Sequence, residues 1–296
     1  MSVLEELSAT MAGSVEGASP SIVSVDARRR LPATGIVWSN DGVIVTAHHV
    51  VRRDDNINIG LPSGETVAAA LVGRDPTTDL AVLRTSSSLD VPNWSNLDDV
   101  KVGHLVLALG RPGSSVQATL GVISSLRGAW RTPMGGKLTH YVQTDVVMYP
   151  GFSGGPLVDA GGNVIGLNTS GLARGVSLAV PNTTLQSVVN DMLSHGRVRR
   201  GYLGVAMQPV RLPANIAEEL DQETGLLIVS VEPDSPAEAG GLVLGDTIVG
   251  FDGEAMRHMD HLLALLSGET IGKTVEVKIV RGGNLQPVTL TVGENE

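Results

Sequence analysis

The segment Gly151-Phe152-Ser153-Gly154-Gly155-Pro156-Leu157 places a serine in a glycine-rich turn just ahead of an apolar run. A serine hydroxyl is a poor nucleophile until a neighbouring base takes its proton, and the oxyanion formed on attack needs backbone N–H donors aimed at it. Glycines on either side let the chain turn so that the N–H groups of Gly151 and Ser153 converge on one point. Such turns are common, and this one takes its meaning from two segments upstream.

Thr46-Ala47-His48-His49-Val50-Val51 follows directly on the apolar run Val43–Val45, and Asp75-Pro76-Thr77-Thr78-Asp79-Leu80-Ala81-Val82-Leu83 lies between it and the serine. A base, a carboxylate to orient it and a nucleophile thus occur in the order His49, Asp79, Ser153, with separations of 30 and 74 residues. Six short β-like runs surround the first two: Ile22–Val25, Gly35–Trp38, Val43–Thr46, Asn56–Gly60, Glu65–Val72 and Leu80–Arg84. Six more surround the third: His104–Gly110, Gln117–Ser125, Tyr141–Thr144, Pro156–Val158, Val164–Thr169 and Gly175–Val180. Two sets of six read as two small barrels, with His49 and Asp79 on the first and Ser153 on the second.

Helical spacing appears at both ends of this region. Leu4, Leu7 and Met11 predict a short amphipathic arm over residues 3–11. Leu185, Val188, Val189, Met192 and Leu193 predict a helix over Asn182–His195, with Asn182 as N-cap and Gly196 as the stop. After the basic stretch Arg197-Val198-Arg199-Arg200 a mixed module begins. Its expected strands are Leu226–Val231, Thr247–Phe251, Thr274–Arg281 and Gln286–Val292, and its expected helices are Pro213–Leu220, Ser235–Ala239 and about 257–266. Ser235-Pro236-Ala237-Glu238 has the form of a capping box.

Composition agrees with a mainly β chain. Of 296 residues 42% are hydrophobic and 18% charged, which supplies packed cores and excludes disorder for the bulk of the chain. Only 3 Trp, 3 Tyr and 2 Phe are present, so the cores rest on aliphatic side chains, and 36 Gly with 15 Pro imply many tight turns. The net charge of −10 argues against nucleic acid as a partner. No apolar run approaches the roughly 18 residues of a membrane span. The acidic start Met1-Ser2-Val3-Leu4-Glu5-Glu6 is unlike a secretory signal, so the expected location is cytoplasmic if the chain is complete and periplasmic or otherwise extracytoplasmic if a leader has been removed. The absence of Cys excludes disulfides and a Cys nucleophile.

In these motifs, and in the tail blocks Tyr202-Leu203-Gly204-Val205 and Leu244-Gly245-Asp246-Thr247, the sequence resembles the HtrA family of PDZ-containing serine proteases over roughly residues 20–292. The resemblance implies a chymotrypsin-like double β-barrel followed by an α+β PDZ domain. The expected organisation is an arm at 1–20, a protease domain at 21–196, a linker at 197–200 and a PDZ domain at 201–296. His49 would be the general base, Asp79 its orienter, Ser153 the nucleophile, and Gly151 and Ser153 the oxyanion-hole donors. Phe152 stands where the family usually has Asn, and its bulk is expected at the mouth of the cleft; His48 stands where a small or aliphatic residue is usual.

The resemblance also places the floor of the pocket for the residue before the cut bond at Val147, with a wall from Leu167, Asn168, Thr169 and Ser170. An apolar floor suits a small or medium aliphatic side chain. The N–H groups of Leu203, Gly204 and Val205, beside Tyr202, would capture a C-terminal carboxylate, the peptide adding as a strand. No cofactor or metal is implied; His258 and His261 read as an exposed polar stripe. Expected partners are unfolded polypeptides and C-terminal peptides, and the family implies a homotrimer or higher oligomer. The reading is thus a serine endopeptidase acting on unfolded or damaged protein, the alternative being a catalytically idle chaperone-like protein or PDZ scaffold.

The charge imbalance is local: residues 201–296 carry 5 basic and 15 acidic side chains. Over a Debye length of about 8 Å this surface should favour tails with basic residues upstream of the terminal carboxylate. Peptide affinity, measured by fluorescence anisotropy, is expected to rise with upstream Lys or Arg and to lose that preference in high salt; affinities indifferent to both would refute it.

Overall fold

Six strands close into a first barrel: β1 (Ile22–Asp26), β2 (Ala33–Ser39), β3 (Val43–Ala47), β4 (Ile57–Gly60), β5 (Thr66–Asp75) and β6 (Leu80–Arg84), in the order β1-β2-β3-β6-β5-β4. Six more close a second: β7 (Leu105–Gly110), β8 (Gln117–Arg127), β9 (Tyr141–Thr144), β10 (Pro156–Asp159), β11 (Val164–Thr169) and β12 (Ser177–Pro181), in the order β9-β12-β11-β10-β7-β8. This computed structural model describes residues 2–29, 31–266 and 268–294. Met1, Arg30, Ser267 and residues 295–296, which fall within the expected arm, protease domain and PDZ domain, lie outside the described residues. The chain divides into two compact units, Met1–Val198 and Arg199–Glu296.

The barrels share a packed layer. Along β7, Val106 and Ala108 enter the interior of the second barrel with Ile123, Val142 and Leu157, while Leu107 and Leu109 join the cluster that holds Ile36, Ile44, Leu80 and Leu83 of the first. Period-two alternation therefore separates two apolar environments rather than core from solvent. Helix α2 (Asn182–His195) adds Leu185, Val188, Val189 and Met192 to the shared cluster and ends at Gly196, whose φ of 73° needs glycine. Its cap differs from expectation: Pro181 is the N-cap residue, and the Asn182 amide instead donates to the Ser95 carbonyl at 2.5 Å.

The N-terminal arm is longer than its apolar spacing predicts. Helix α1 spans Val3–Ala18, opened by a capping box between Ser2 and Glu5. Its packed face is Met11, Ser14, Val15 and Ala18, with the Ser14 hydroxyl donating to Ala160 O at 2.8 Å, whereas Leu4 is 76% exposed. Small Ser14 and Ala18 allow close approach to the barrel, a tertiary advantage that hydrophobic spacing does not register.

In the second unit β13 (Val205–Arg211), β14 (Thr224–Val231), β15 (Thr247–Phe251), β16 (Thr274–Arg281) and β17 (Asn284–Thr291) form a sheet in that order, with α3 (Ala214–Leu220), α4 (Pro236–Ala239) and α5 (Met259–Leu265). Leu226, Ile228, Ile248, Phe251, Leu262, Val277 and Ile279 make its core. The Ser235 hydroxyl caps α4 by accepting from Glu238 N–H at 3.2 Å; the Glu238 carboxylate accepts from Asp234 N–H, one residue short of a full capping box. Arg199, expected in the linker, belongs to this unit and pairs bidentately with Glu294.

Asp246, 1% exposed, accepts from Arg281 Nε and Nη2, both at 2.7 Å, and from Val243 N–H at 2.9 Å. Removing that carboxylate takes the partner from Val243 N–H and two bonds from Arg281, whose Nη2 keeps only the Gly241 carbonyl. Asp246→Ala is expected to cost about 2–3 kcal/mol. Since Trp38, Trp94 and Trp130 all lie in the first unit, the substitution should lower the urea midpoint read by far-UV circular dichroism more than that read by tryptophan emission.

Candidate active site

The register of β3 against β6 pairs Ala47 with Leu80, so the chain leaving β3 and the chain entering β6 lie side by side. A single 3-10 turn, His48–Val50, follows β3. On the other side Asp75 accepts from Thr77 N–H, Thr77 Oγ1 and Thr78 Oγ1, which folds Asp75–Thr78 into a turn, and Asp79 then adopts φ 58°. Asp is among the residues that tolerate this left-handed conformation. Its carbonyl accepts from His48 N–H at 2.9 Å, and its Oδ1 accepts from His49 N–H at 2.9 Å.

Asp79 Oδ2 faces His49 Nδ1 at 2.8 Å and also accepts from the Thr169 hydroxyl at the end of β11. An ionised carboxylate only accepts, so the Nδ1 proton points to Asp79 and Nε2 is left as the basic nitrogen. The His49 side chain is 27% exposed and that of Asp79 5%, an arrangement that opens only the imidazole to the cleft. His48 is the other histidine: its Nδ1 is buried without a partner among the described residues, and burial lowers its pKa, Asp79 opposing. His49 is the ring that meets the carboxylate.

Gly171 completes this corner. A Cβ there would lie 2.5 Å from Asp79 Oδ2 and 2.8 Å from His49 Nδ1, and its N–H donates to Thr169 Oγ1 at 2.9 Å. Neither Thr169's bond to Asp79 nor the need for glycine at 171 is visible in local sequence, since both depend on residues far upstream, Asp79 and His49.

Ser153, 8% exposed, follows a turn in which Phe152 N–H donates to Tyr149 O at 3.0 Å and Gly151 has φ 96°. The N–H groups of Gly151 and Ser153 donate to no described residue. Ser153 Oγ pairs with Ser170 Oγ at 3.2 Å, not with His49.

Phe152 is not at the mouth of the cleft. It is fully buried inside the second barrel with Val106, Ala108, Ile123 and Val146, edge-on to Tyr149 at 5.8 Å between centroids. Gly110 makes room for it, since a Cβ there would lie 2.7 Å from the ring. The apolar barrel interior draws in the ring, so it anchors the turn from below.

The expected substrate pocket is distributed differently. Val147 is 56% exposed while its neighbour Val146 is buried; Leu167, Asn168 and Thr169 are buried in β11, and Ser170 is exposed. Of the named wall residues, Ser170 therefore presents its side chain to solvent, while Leu167 supports the wall from within the shared core. A hollow of about 400 Å³ that the sequence does not announce lies on the other flank of the turn, lined by Leu31, Pro112, Tyr149 and Pro150 among others.

In the second unit Tyr202-Leu203-Gly204-Val205 leads into β13, which pairs with β14 along one edge and has α5 packed beside it. Gly204, φ 77°, lies against the Ser235 side chain, a place where no Cβ fits. The carbonyls of Leu203 and Gly204 accept from Ala237 and Glu232 N–H, while the N–H groups of Leu203 and Gly204 donate to no described residue. Tyr202 donates to the Glu232 carboxylate, and the Leu203 side chain is buried.

Residues 33–167 match the trypsin-like peptidase domain and residues 201–292 the PDZ domain. A probable periplasmic serine endoprotease, DegP-like, from Halomonas elongata is 37% identical over 273 residues, 90% of this chain and 57% of that protein. Its counterpart from Chlamydia trachomatis is 35% identical over 272 residues, 90% and 54% of the two chains. The chain thus spans about half the length of these curated relatives. Among solved structures, the HtrA-type protease AlgW with a tripeptide is 31% identical with a TM-score of 0.76, each chain 97% covered. The serine endoprotease from Yersinia pestis is 28% identical with a TM-score of 0.78, covering 97% of this chain and 98% of that one. Two six-stranded barrels, a PDZ unit and these similarities along nearly the whole length show that the chain belongs to the HtrA family of serine proteases.

Proposed function

We propose that this protein is a serine endopeptidase that cuts unfolded or damaged polypeptides, and that its PDZ unit binds C-terminal tails for substrate capture or regulation. The observation that carries the reading is the hydrogen-bonded His49–Asp79–Thr169 corner beside a Ser153 turn with two uncommitted N–H groups. Ser153 Oγ leaves Ser170, gives its proton to His49 Nε2 and attacks the scissile carbonyl. Asp79 keeps the ring in its tautomer and stabilises the imidazolium, and the oxyanion is received by the N–H groups of Gly151 and Ser153. His49 then protonates the leaving amine, and water, activated by the same nitrogen, hydrolyses the acyl-enzyme.

Exposed Val147 supports preference for an aliphatic residue before the cut bond. Extended substrate is favoured because a protease cleft binds a strand, which folded proteins expose mainly at loops and termini. The open edge of β13 beside α5 supports peptide addition as a strand, ending at the N–H groups of Leu203 and Gly204. An extracytoplasmic location is favoured by the periplasmic relatives. A trimer or higher oligomer rests on family resemblance and is checked by analytical ultracentrifugation. The idle-scaffold alternative gains nothing from the site, where base, orienter and nucleophile are all present.

Wild-type protein should be labelled by a serine-reactive fluorophosphonate, and Ser153→Ala should lose the label. No label on wild type, with or without a C-terminal peptide, would sink the enzymatic reading. In a peptide library read by mass spectrometry, cleavage is expected after Val, Ala or Leu; cleavage chiefly after Lys or Arg would overturn the pocket assignment.

A further inference from the structure

Thr34 sits on β2 of the first barrel, fully buried, 117 positions from the turn it touches. Its hydroxyl donates to the carbonyl of Gly151 at 2.7 Å and accepts from the N–H of Arg111 at 2.8 Å, so both directions of one O–H group are used and its rotamer is set. Its own N–H donates to Ser153 O at 3.4 Å, and its carbonyl accepts from Thr46 Oγ1 at 2.7 Å, three residues before His49. Arg111 is held in turn: its buried guanidinium donates to Ser114 O and to Ser19 O and Oγ.

We propose that Thr34 is the positioning residue of the oxyanion turn: through the Gly151 and Ser153 carbonyls it fixes the two peptide planes that bracket the Ser153 N–H. The inference rests on the reading of the site as a protease centre. The peptide after Gly151 is pinned at both ends, its oxygen by Thr34 and its Phe152 N–H by Tyr149 O. The peptide after Ser153 is pinned through its oxygen by the Thr34 N–H. The Ser153 N–H belongs to the peptide between them and can turn little once both neighbours are fixed. Pro112 and the Pro32 carbonyl close in on the Cα of Gly151, where a Cβ would lie 2.5 and 2.9 Å from them, so the position admits only glycine. With Phe152 anchored in the second barrel and Thr34 in the first, the turn is held from both sides. Its donors are preorganised, the condition under which such groups act most strongly on a transition state.

The test compares Thr34→Val, of similar shape but without the hydroxyl, with Thr34→Ser, which keeps it, in the full chain. Loss of alignment should lower kcat about 10²-fold in Thr34→Val with KM within about threefold, and Thr34→Ser should remain within about threefold of wild type in both. Affinity for a peptide boronic acid, whose tetrahedral adduct fills the oxyanion site, should fall in parallel with kcat, while affinity for the product peptide stays constant. Hydrogen exchange over residues 150–155, read by mass spectrometry, should rise in Thr34→Val and not in Thr34→Ser. If Thr34→Val does not fold, Thr34→Ala is measured in its place. Unchanged kcat and unchanged exchange in the hydroxyl-less variant, or equal losses in Thr34→Ser, would overturn the proposal. Absence of turnover in wild type would strike the protease reading alone, and the exchange comparison would still decide the role of Thr34.

Discussion

One carboxylate joins the two barrels at the cleft. Asp79 belongs to the first barrel, yet its Oδ2 is shared between His49 of that barrel and Thr169 of the second, and its Oδ1 takes the His49 N–H. A buried carboxylate is costly unless its oxygens find donors, and three donors are supplied here from two separately formed sheets. The barrels must therefore meet in one register for the charge to be accommodated. Gly171 shows how close that meeting is, since any side chain there would strike the Asp79–His49 pair.

The shared apolar layer enforces the same register by different means. Leu107 and Leu109 of the second barrel, α2 and the interior of the first form one cluster, so sliding one barrel against the other would open cavities on both sides. Upon that layer the Ser153 turn is suspended between a ring and a hydroxyl: Phe152 enters the second barrel beside Gly110, and Thr34 reaches from the first. Position 152, where the family resemblance expects Asn, is here part of the second-barrel core.

The PDZ unit is built on a smaller scale. A single sheet with one helix-flanked edge strand buries Leu226, Ile248, Phe251 and Val277, and the Asp246–Arg281 pair ties the loop before β15 to the end of β16. Arg199 draws the start of the unit to its end through Glu294. Its acidic surface is thus compatible with local pairing of the few cations it has, and 15 acidic against 7 basic side chains over residues 199–296 still leave it strongly anionic.

The strands of the two barrels, the order His49, Asp79, Ser153 and the glycine demands of the Ser153 turn were determined by the sequence itself, because turn residues, short apolar runs and motif register are local properties; the edge strand β13 was missed, since the expected strands of the second unit began only at Leu226. Helix α2 was equally legible, from its 3.6-residue spacing. Side-chain direction was not: β2 and β7 are buried on both faces, so alternation says nothing about which barrel a residue enters, and neither Thr34 nor Phe152 could be aimed from the chain alone. The length of α1 and the pairing of Arg199 with Glu294 escaped for a related reason, since each is decided by a surface that exists only after folding. Tertiary structure alone decided how the site is held, because its ties, Thr34 to Gly151 and Thr169 to Asp79, cross 117 and 90 residues and only barrel closure brings them within hydrogen-bonding reach.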